Sequence, residues 1–202
     1  MESLFGILSF ALSFGFTIPY AVDIVRGRAR PARSTRILLL LLMTVTLVVQ
    51  AREFTSWVLL LTIGEVLSQI LLFGLGIRYG VGGLSRVDVI CYVAFGISLG
   101  AYLLTQDAVL SLLLLMATDS IAFAPTILKI WRDPASDSWV FFFFGGVAAA
   151  FASLLATSST AFAEWGFPTY LLVANALAAA PIMVHVYRSR RLAPKHRPVA
   201  PL

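Results

Sequence analysis

The chain is a series of long apolar runs broken by short polar punctuation. Seven runs stand out, at about 3–25, 35–51, 55–77, 87–105, 107–131, 139–163 and 166–187. A helix needs roughly 20 predominantly apolar residues to cross the hydrocarbon core of a bilayer. Each run approaches or exceeds that length, the second being the shortest. The pattern predicts an all-α integral membrane protein of seven transmembrane helices. Little chain remains between the runs, so any function resides inside the helix bundle or on short loops. Composition agrees, with 59% of the 202 residues hydrophobic and 12% charged, where a soluble domain is nearer roughly a quarter charged.

The few charges set the orientation, because cytoplasmic loops collect Lys and Arg. Arg26, Arg28, Arg30, Arg33 and Arg36 lie between runs 1 and 2, Arg78 and Arg86 between runs 3 and 4, and Lys129 and Arg132 at the turn between runs 5 and 6. Arg188, Arg190, Arg191, Lys195 and Arg197 follow run 7. Fourteen of the fifteen Lys and Arg thus fall on one side, and only Arg52, beside Glu53, falls on the other. This alternation requires an odd number of crossings, with the N-terminus outside and the C-terminus cytoplasmic. The expected location is a bacterial plasma (inner) membrane. A pI near 9.8 could suggest nucleic-acid binding, but the basic residues flank apolar helices, where topology already accounts for them. Anionic lipid headgroups are the expected partners of these residues. The start, Met1-Glu2-Ser3-Leu4, is acidic and lacks the features of a secretory signal. Cys91 is the only cysteine, which excludes an internal disulfide and a thiolate metal cluster.

An internal repeat emerges next. Run 1 ends Pro19-Tyr-Ala-Val-Asp23-Ile24-Val-Arg26, followed by Arg30-Pro31-Ala32-Arg33-Ser34; run 5 ends Pro125-Thr-Ile-Leu-Lys129-Ile130-Trp-Arg132, followed by Asp133-Pro134-Ala135-Ser136. The offset is 106 residues from Pro19 to Pro125 and drifts to 103 from Pro31 to Pro134. The ends of runs 3 and 7, Ile77-Arg78 and Tyr187-Arg188, pair at an offset of 110. Runs 1–3 therefore match runs 5–7, and run 4 is a linker. Four crossings return the chain to its starting side, so the halves are parallel repeats about an axis along the membrane normal. The expected division is 1–80 for the first three-helix bundle, 81–106 for the linker, 107–188 for the second bundle and 189–202 for a basic cytoplasmic tail.

These residues resemble the PQ-loop and SWEET superfamily of small transporters. Pro19-Tyr20 and Pro125-Thr126 stand where PQ-loop members carry Pro-Gln, and Arg33-Ser34-Thr35 resembles the basic-Ser-Thr turn after the first SWEET helix. The resemblance implies two three-helix bundles joined by a linker helix. It also implies an external N-terminus and transport of a small solute such as a sugar. The chain departs from SWEET proteins in having no proline in 36–51 or 139–163, and it looks nearer to uncharacterised bacterial relatives. Sugar specificity is not carried over.

Strongly polar residues deep in a span cost about 2.5–3.5 kcal/mol each on insertion scales and face a cavity or a partner. Glu65, Asp119 and Asn175 lie near the centres of runs 3, 5 and 7. Glu65 plus 110 gives Asn175, and Asp119 minus 106 gives Ser13, so a pseudo-twofold sets the four at one depth. SWEET relatives carry a pocket Asn on helix 3 and on helix 7; here Asn175 matches one and Glu65 replaces the other. Thr62, Glu65, Ser68 and Gln69 share one helix face by three- and four-residue spacing, and Ser9, Ser13, Thr17 and Tyr20 form a similar stripe. Such side chains offer donors and acceptors to a polar solute. They equally serve as hydrogen bonds between helices. Asn175, set among alanines, equally fits a packing seam, and Glu65 and Asp119 equally fit a bond to each other or to buried water. Pro19 and Pro125, with Tyr20, read either as bends that gate the cytoplasmic ends or as kinks that suit packing. Asp23 and Asp88 are expected as surface ion pairs, the run Phe141–Phe144 as lipid-facing or packing, and Trp57, Trp139 and Trp165 as interfacial anchors.

The leading expectation is a carrier moving a small polar solute by alternating access. Glu65, Asp119, Asn175, Ser13, Gln69 and Ser68 form its site, Pro19, Pro125 and Tyr20 its gate, and a proton is a chemically reasonable coupling partner. The alternative is a ligand-binding or receptor protein on the same scaffold without flux. Enzymatic activity is not expected. The chain has no zinc-ligand cluster, no phosphate-binding glycine loop and no nucleophile paired with His185 or His196. Neither a metal nor a cofactor is expected, and a retinal Schiff base lacks a membrane-embedded lysine, since Lys129 sits at a helix end. With both bundles in one chain, the protein acts either alone or as a homo-oligomer.

Overall fold

The computed structural model describes residues 1–27, 31, 33–54, 56–134, 139–159 and 161–192. Arg28, Arg30, Ala32, Ala135, Ser136, Lys195, His196 and Arg197 lie outside the described residues. The chain is all-helical: α1 (Glu2–Gly15), α2 (Thr17–Val25), α3 (Arg33–Glu53), α4 (Leu59–Tyr79), α5 (Arg86–Thr105), α6 (Ala108–Arg132), α7 (Trp139–Leu155) and α8 (Phe162–Leu192). Counting α1 and α2 as one interrupted span, six helices among the described residues are long and apolar enough to cross a membrane.

Three boundaries differ from the sequence expectation. The first span breaks at Phe16, between α1 and α2. Pro19 has no N–H to give the carbonyl of Gly15 four residues earlier, and its ring crowds that carbonyl, so the helix yields one turn before the proline. Pro125 produces no such break, since α6 runs continuously through it. The sixth span, expected over 139–163, is the 17-residue α7 followed by a 3₁₀ turn at Ala156–Ser158. At 1.5 Å per residue α7 reaches roughly 25 Å, short of the bilayer core of about 30 Å. Hydroxyls stop it: Thr157 Oγ1 donates back to the Leu154 carbonyl, and Ser159 Oγ accepts from the Ala161 amide. The last helix consequently starts at Phe162 rather than 166.

Helix packing traces a closed ring, in the order α1, α4, α3, α6, α8, α7 and back to α1. Helix α5 stands outside the ring, packed on α6 and more lightly on α3, while α2 continues α1 along α4. Helices α4 and α6 make no extended contact; α3 touches both. Apolar side chains cover the outside of the bundle as well as forming its core. On α4, Thr62, Ser68 and Gln69 are buried, while Leu67 and Ile70 are 38% and 50% exposed. An apolar exterior suits a lipid solvent, and buried hydroxyls and amides find partners on neighbouring helices.

Basic residues sort to one end of the ring. Arg36 lies against Gly76, Arg33 against Gly80, and the backbone of Pro31 and Arg33 pairs with that of Val81. Arg52 stands at the other end, bonded to Gln106 and stacked over Tyr102.

Asp88, expected in a surface ion pair, is instead buried in a hydroxyl clamp. Its carboxylate accepts from Ser34 Oγ at 2.8 Å, Thr35 Oγ1 at 2.9 Å and the Ser85 amide at 2.9 Å. Ser85 Oγ accepts from the Asp88 amide, which completes a capping box at the start of α5. Tyr92 donates to the Ser34 carbonyl from one turn further along α5. The Ser34-Thr35 turn thereby fastens α3 to α5.

Candidate functional site

The hydroxyl stripes of α1 and α4 largely satisfy one another. Thr17 Oγ1 donates to Ser68 Oγ at 2.9 Å, and Ser68 Oγ donates to the Ser13 carbonyl at 3.2 Å. Ser9 Oγ donates across to the Ala148 carbonyl of α7 at 2.8 Å. Thr62 Oγ1 donates to Gln50 Oε1 of α3 at 2.6 Å, and Gln50 passes the chain on to the Ala163 carbonyl. Ser13 Oγ turns back to the Phe10 carbonyl, and its side chain presses on Gly64, where a Cβ would collide with it. Gly64 thus lets α1 and α4 approach closely, as small residues do in membrane bundles. Ser13 and Ser68, expected in the site, are packing residues of the α1–α4 seam.

Asn175 also leaves the expected group. Its amide nitrogen donates to the Leu171 carbonyl of its own helix at 2.9 Å, and its side chain packs on Gly145 and Gly146 of α7. A Cβ on Gly145 would stand 2.9 Å from Asn175 Oδ1, so the glycine pair is cut to fit the amide. Asn175 also lines a cavity of about 340 Å³ between α7 and α8.

Two expected residues do come together. Glu65 on α4 and Asp119 on α6 lie near enough for the charge of one to act on the other. They do so although their helices are not packed together. Asp119 is 7% exposed, and its Oδ2 accepts from Tyr170 Oη of α8 at 2.7 Å. Ser120 Oγ lies 3.2 Å from the same phenolic oxygen, with the Met116 carbonyl as its closer acceptor at 2.8 Å. Helices α6 and α8 thus meet at one carboxylate. Glu65 accepts no hydrogen bond among the described residues, and neither carboxyl is ion-paired there. Gln69, one turn along α4 from Glu65, is 9% exposed, and its Oε1 is buried without a partner. No group of three or more His, Cys, Asp or Glu among the described residues could hold a metal ion.

Tyr170 was not among the residues picked out from the sequence. A search for charged and amide groups at mid-span passes over a phenol in an apolar run. The signal available was that a buried tyrosine hydroxyl seeks a polar partner.

At the basic end of the ring, Tyr20 bridges three helices. Arg36 Nη2 donates to Tyr20 Oη at 3.2 Å and its guanidinium lies over the ring, while Phe141 of α7 packs on the other side at 5.8 Å between centroids. Phe16 stacks on Phe144 one turn further in, and Phe5 on Phe151 near the far end. The aromatic run of α7 therefore serves packing, with Phe142 buried and only Phe143 substantially exposed.

Comparison with known proteins finds no matching family model, no matching curated protein and no matching solved structure.

Proposed function

We propose that the protein is a membrane carrier for a small polar solute, working by alternating access around the Glu65–Asp119 pair. The observation that carries this reading is the pair itself. Two carboxyl groups on membrane-type helices lie within electrostatic reach of each other, without a basic partner among the described residues. Uncompensated charge in such a place is costly and marks a pathway or a binding site.

The ring order supports the repeat that underlies the mechanism. Helices α1, α4 and α3 form one arc and α6, α8 and α7 the other. Repeat mates stand opposite each other: α1 and α6, α4 and α8, α3 and α7. The contact of α1 with α7 then corresponds to that of α6 with α3, as a twofold along the membrane normal requires, and α5 is the linker outside. This arrangement of three, one and three helices is the one that the PQ-loop and SWEET resemblance implies, and we propose kinship with that superfamily. On this reading the N-terminus is external and the basic end of the ring cytoplasmic. Tyr20, clasped by Arg36 and Phe141, closes the inner mouth, and the break that Pro19 imposes at Phe16 gives α2 freedom to move apart from α1.

A thermal-shift screen of the purified protein against sugars, polyols, amino acids and vitamins, followed by uptake into liposomes, tests this function. A solute that stabilises the protein, loses that effect in Glu65→Gln and accumulates in the vesicles is the expected outcome. Bound solutes that never cross would overturn the carrier in favour of a binding protein.

A further inference from the structure

The donors and acceptors around the pair are unequal. Glu65 brings two carboxylate oxygens that take no hydrogen bond from a described residue. Asp119 has one oxygen committed to Tyr170 and one remaining. Gln69 adds a buried amide oxygen without a partner, on the same α4 face as Glu65 by its four-residue spacing. The Tyr170 hydroxyl hydrogen is already given to Asp119, and the Thr62, Ser68 and Thr17 hydrogens are given to Gln50, Ser13 and Ser68. Every Lys and Arg among the described residues lies in a loop or near a helix end. The site thus offers carboxylate and amide oxygens and negative charge, against the amide nitrogen of Gln69 as its one uncommitted donor group and no positive charge among the described residues.

From this imbalance we infer that the solute is a small organic cation bearing N–H donors, such as a protonated amine, held between Glu65 and Asp119 with one donor directed to Gln69 Oε1. A neutral polyol supplies donors but leaves the paired carboxyls uncompensated, and an anion adds to the repulsion. An ammonium or guanidinium group answers both deficits, since charge-assisted hydrogen bonds to carboxylates are the strong ones. The uncommitted amide oxygen of Gln69 makes this more than an acidic cluster: a buried acceptor without a partner costs stability unless something fills it. The inference rests on the carrier reading and specifies its substrate class.

A test independent of the solute's identity reads the charge preference of the site directly. In a Cys91→Ala background, Gln69→Cys supplies the only thiol. The full-length protein in liposomes is treated with a trimethylammonium-ethyl and a sulfonato-ethyl methanethiosulfonate of similar size. The expected cation-to-anion rate ratio exceeds that of a free thiol by about 10-fold or more, as an acidic cleft concentrates cations. It should collapse towards the free-thiol value when Glu65→Gln and Asp119→Asn are added. A ratio equal to the free thiol's, or unchanged by those two substitutions, would overturn the cation assignment and leave the carrier standing. No reaction with either reagent, in protein that reacts once denatured, would show the level to be sealed and would overturn both. Should Gln69→Cys not fold, Ser120→Cys, next to the same tyrosine as Asp119, provides the second position.

Discussion

Tyr170 donates its phenolic hydrogen to Asp119 Oδ2 across the α6–α8 contact at 2.7 Å, and this bond fixes which way the carboxylate faces. Its other oxygen is left uncommitted. A side chain held in one rotamer by an outer partner is what a preorganised site requires.

Tyr170→Phe is therefore expected to weaken solute binding about 10-fold by releasing the carboxylate. It should cost no more than about 1.7 kcal/mol of stability, the upper range for interhelical hydrogen bonds in membranes. Ser120→Ala, which removes only the outer hydroxyl, should have the smaller effect on binding. Titration of both variants against the same solute compares them.

Asn175 bonds its own helix and fills a notch over Gly145. Asn175→Ala should leave solute affinity unchanged. Gly145→Ala should destabilise by about 1–3 kcal/mol through overpacking. Most of that loss should return in the double variant, where the clashing amide is gone. Thermal unfolding of the three proteins reads the cycle.

Asp88 takes two hydrogen bonds from α3, which fasten it to α5, and a third from the Ser85 amide at the start of its own helix. Asp88→Ala removes the clamp and the Asp88 half of the α5 capping box and leaves two hydroxyls without their acceptor. Its expected cost is about 1–3 kcal/mol, with no change in solute affinity once the protein is folded. A loss of affinity without a loss of stability would move Asp88 into the site.

Much of the helical frame was legible because it depends on apolar length and loop charge alone. The site was legible in part. Glu65 and Asp119 announce themselves through the cost of burying charge. The repeat arithmetic that paired them with Asn175 and Ser13 treats equal depth as equal direction, and both polar side chains turned instead to nearby glycines, Gly145 and Gly64. The break at Phe16 follows from Pro19 acting one turn upstream. The early end of α7 follows from hydroxyls that compete for backbone carbonyls, a local preference that hydropathy does not register. The burial of Asp88 depended on Ser34, 54 residues away, a pairing that only the packed loops create.

The central claim, a polar site inside the ring that opens to each side in turn, is tested most directly by thiol accessibility at Glu65 itself. In a Cys91→Ala background, Glu65→Cys is treated with a membrane-impermeant methanethiosulfonate from either face of oriented vesicles, with Ile70→Cys on the outer surface of α4 as the lipid-facing control. The account predicts reaction at Glu65→Cys from both faces and none at Ile70→Cys. Protection from both faces in folded protein, or reaction from a single face only, would contradict it.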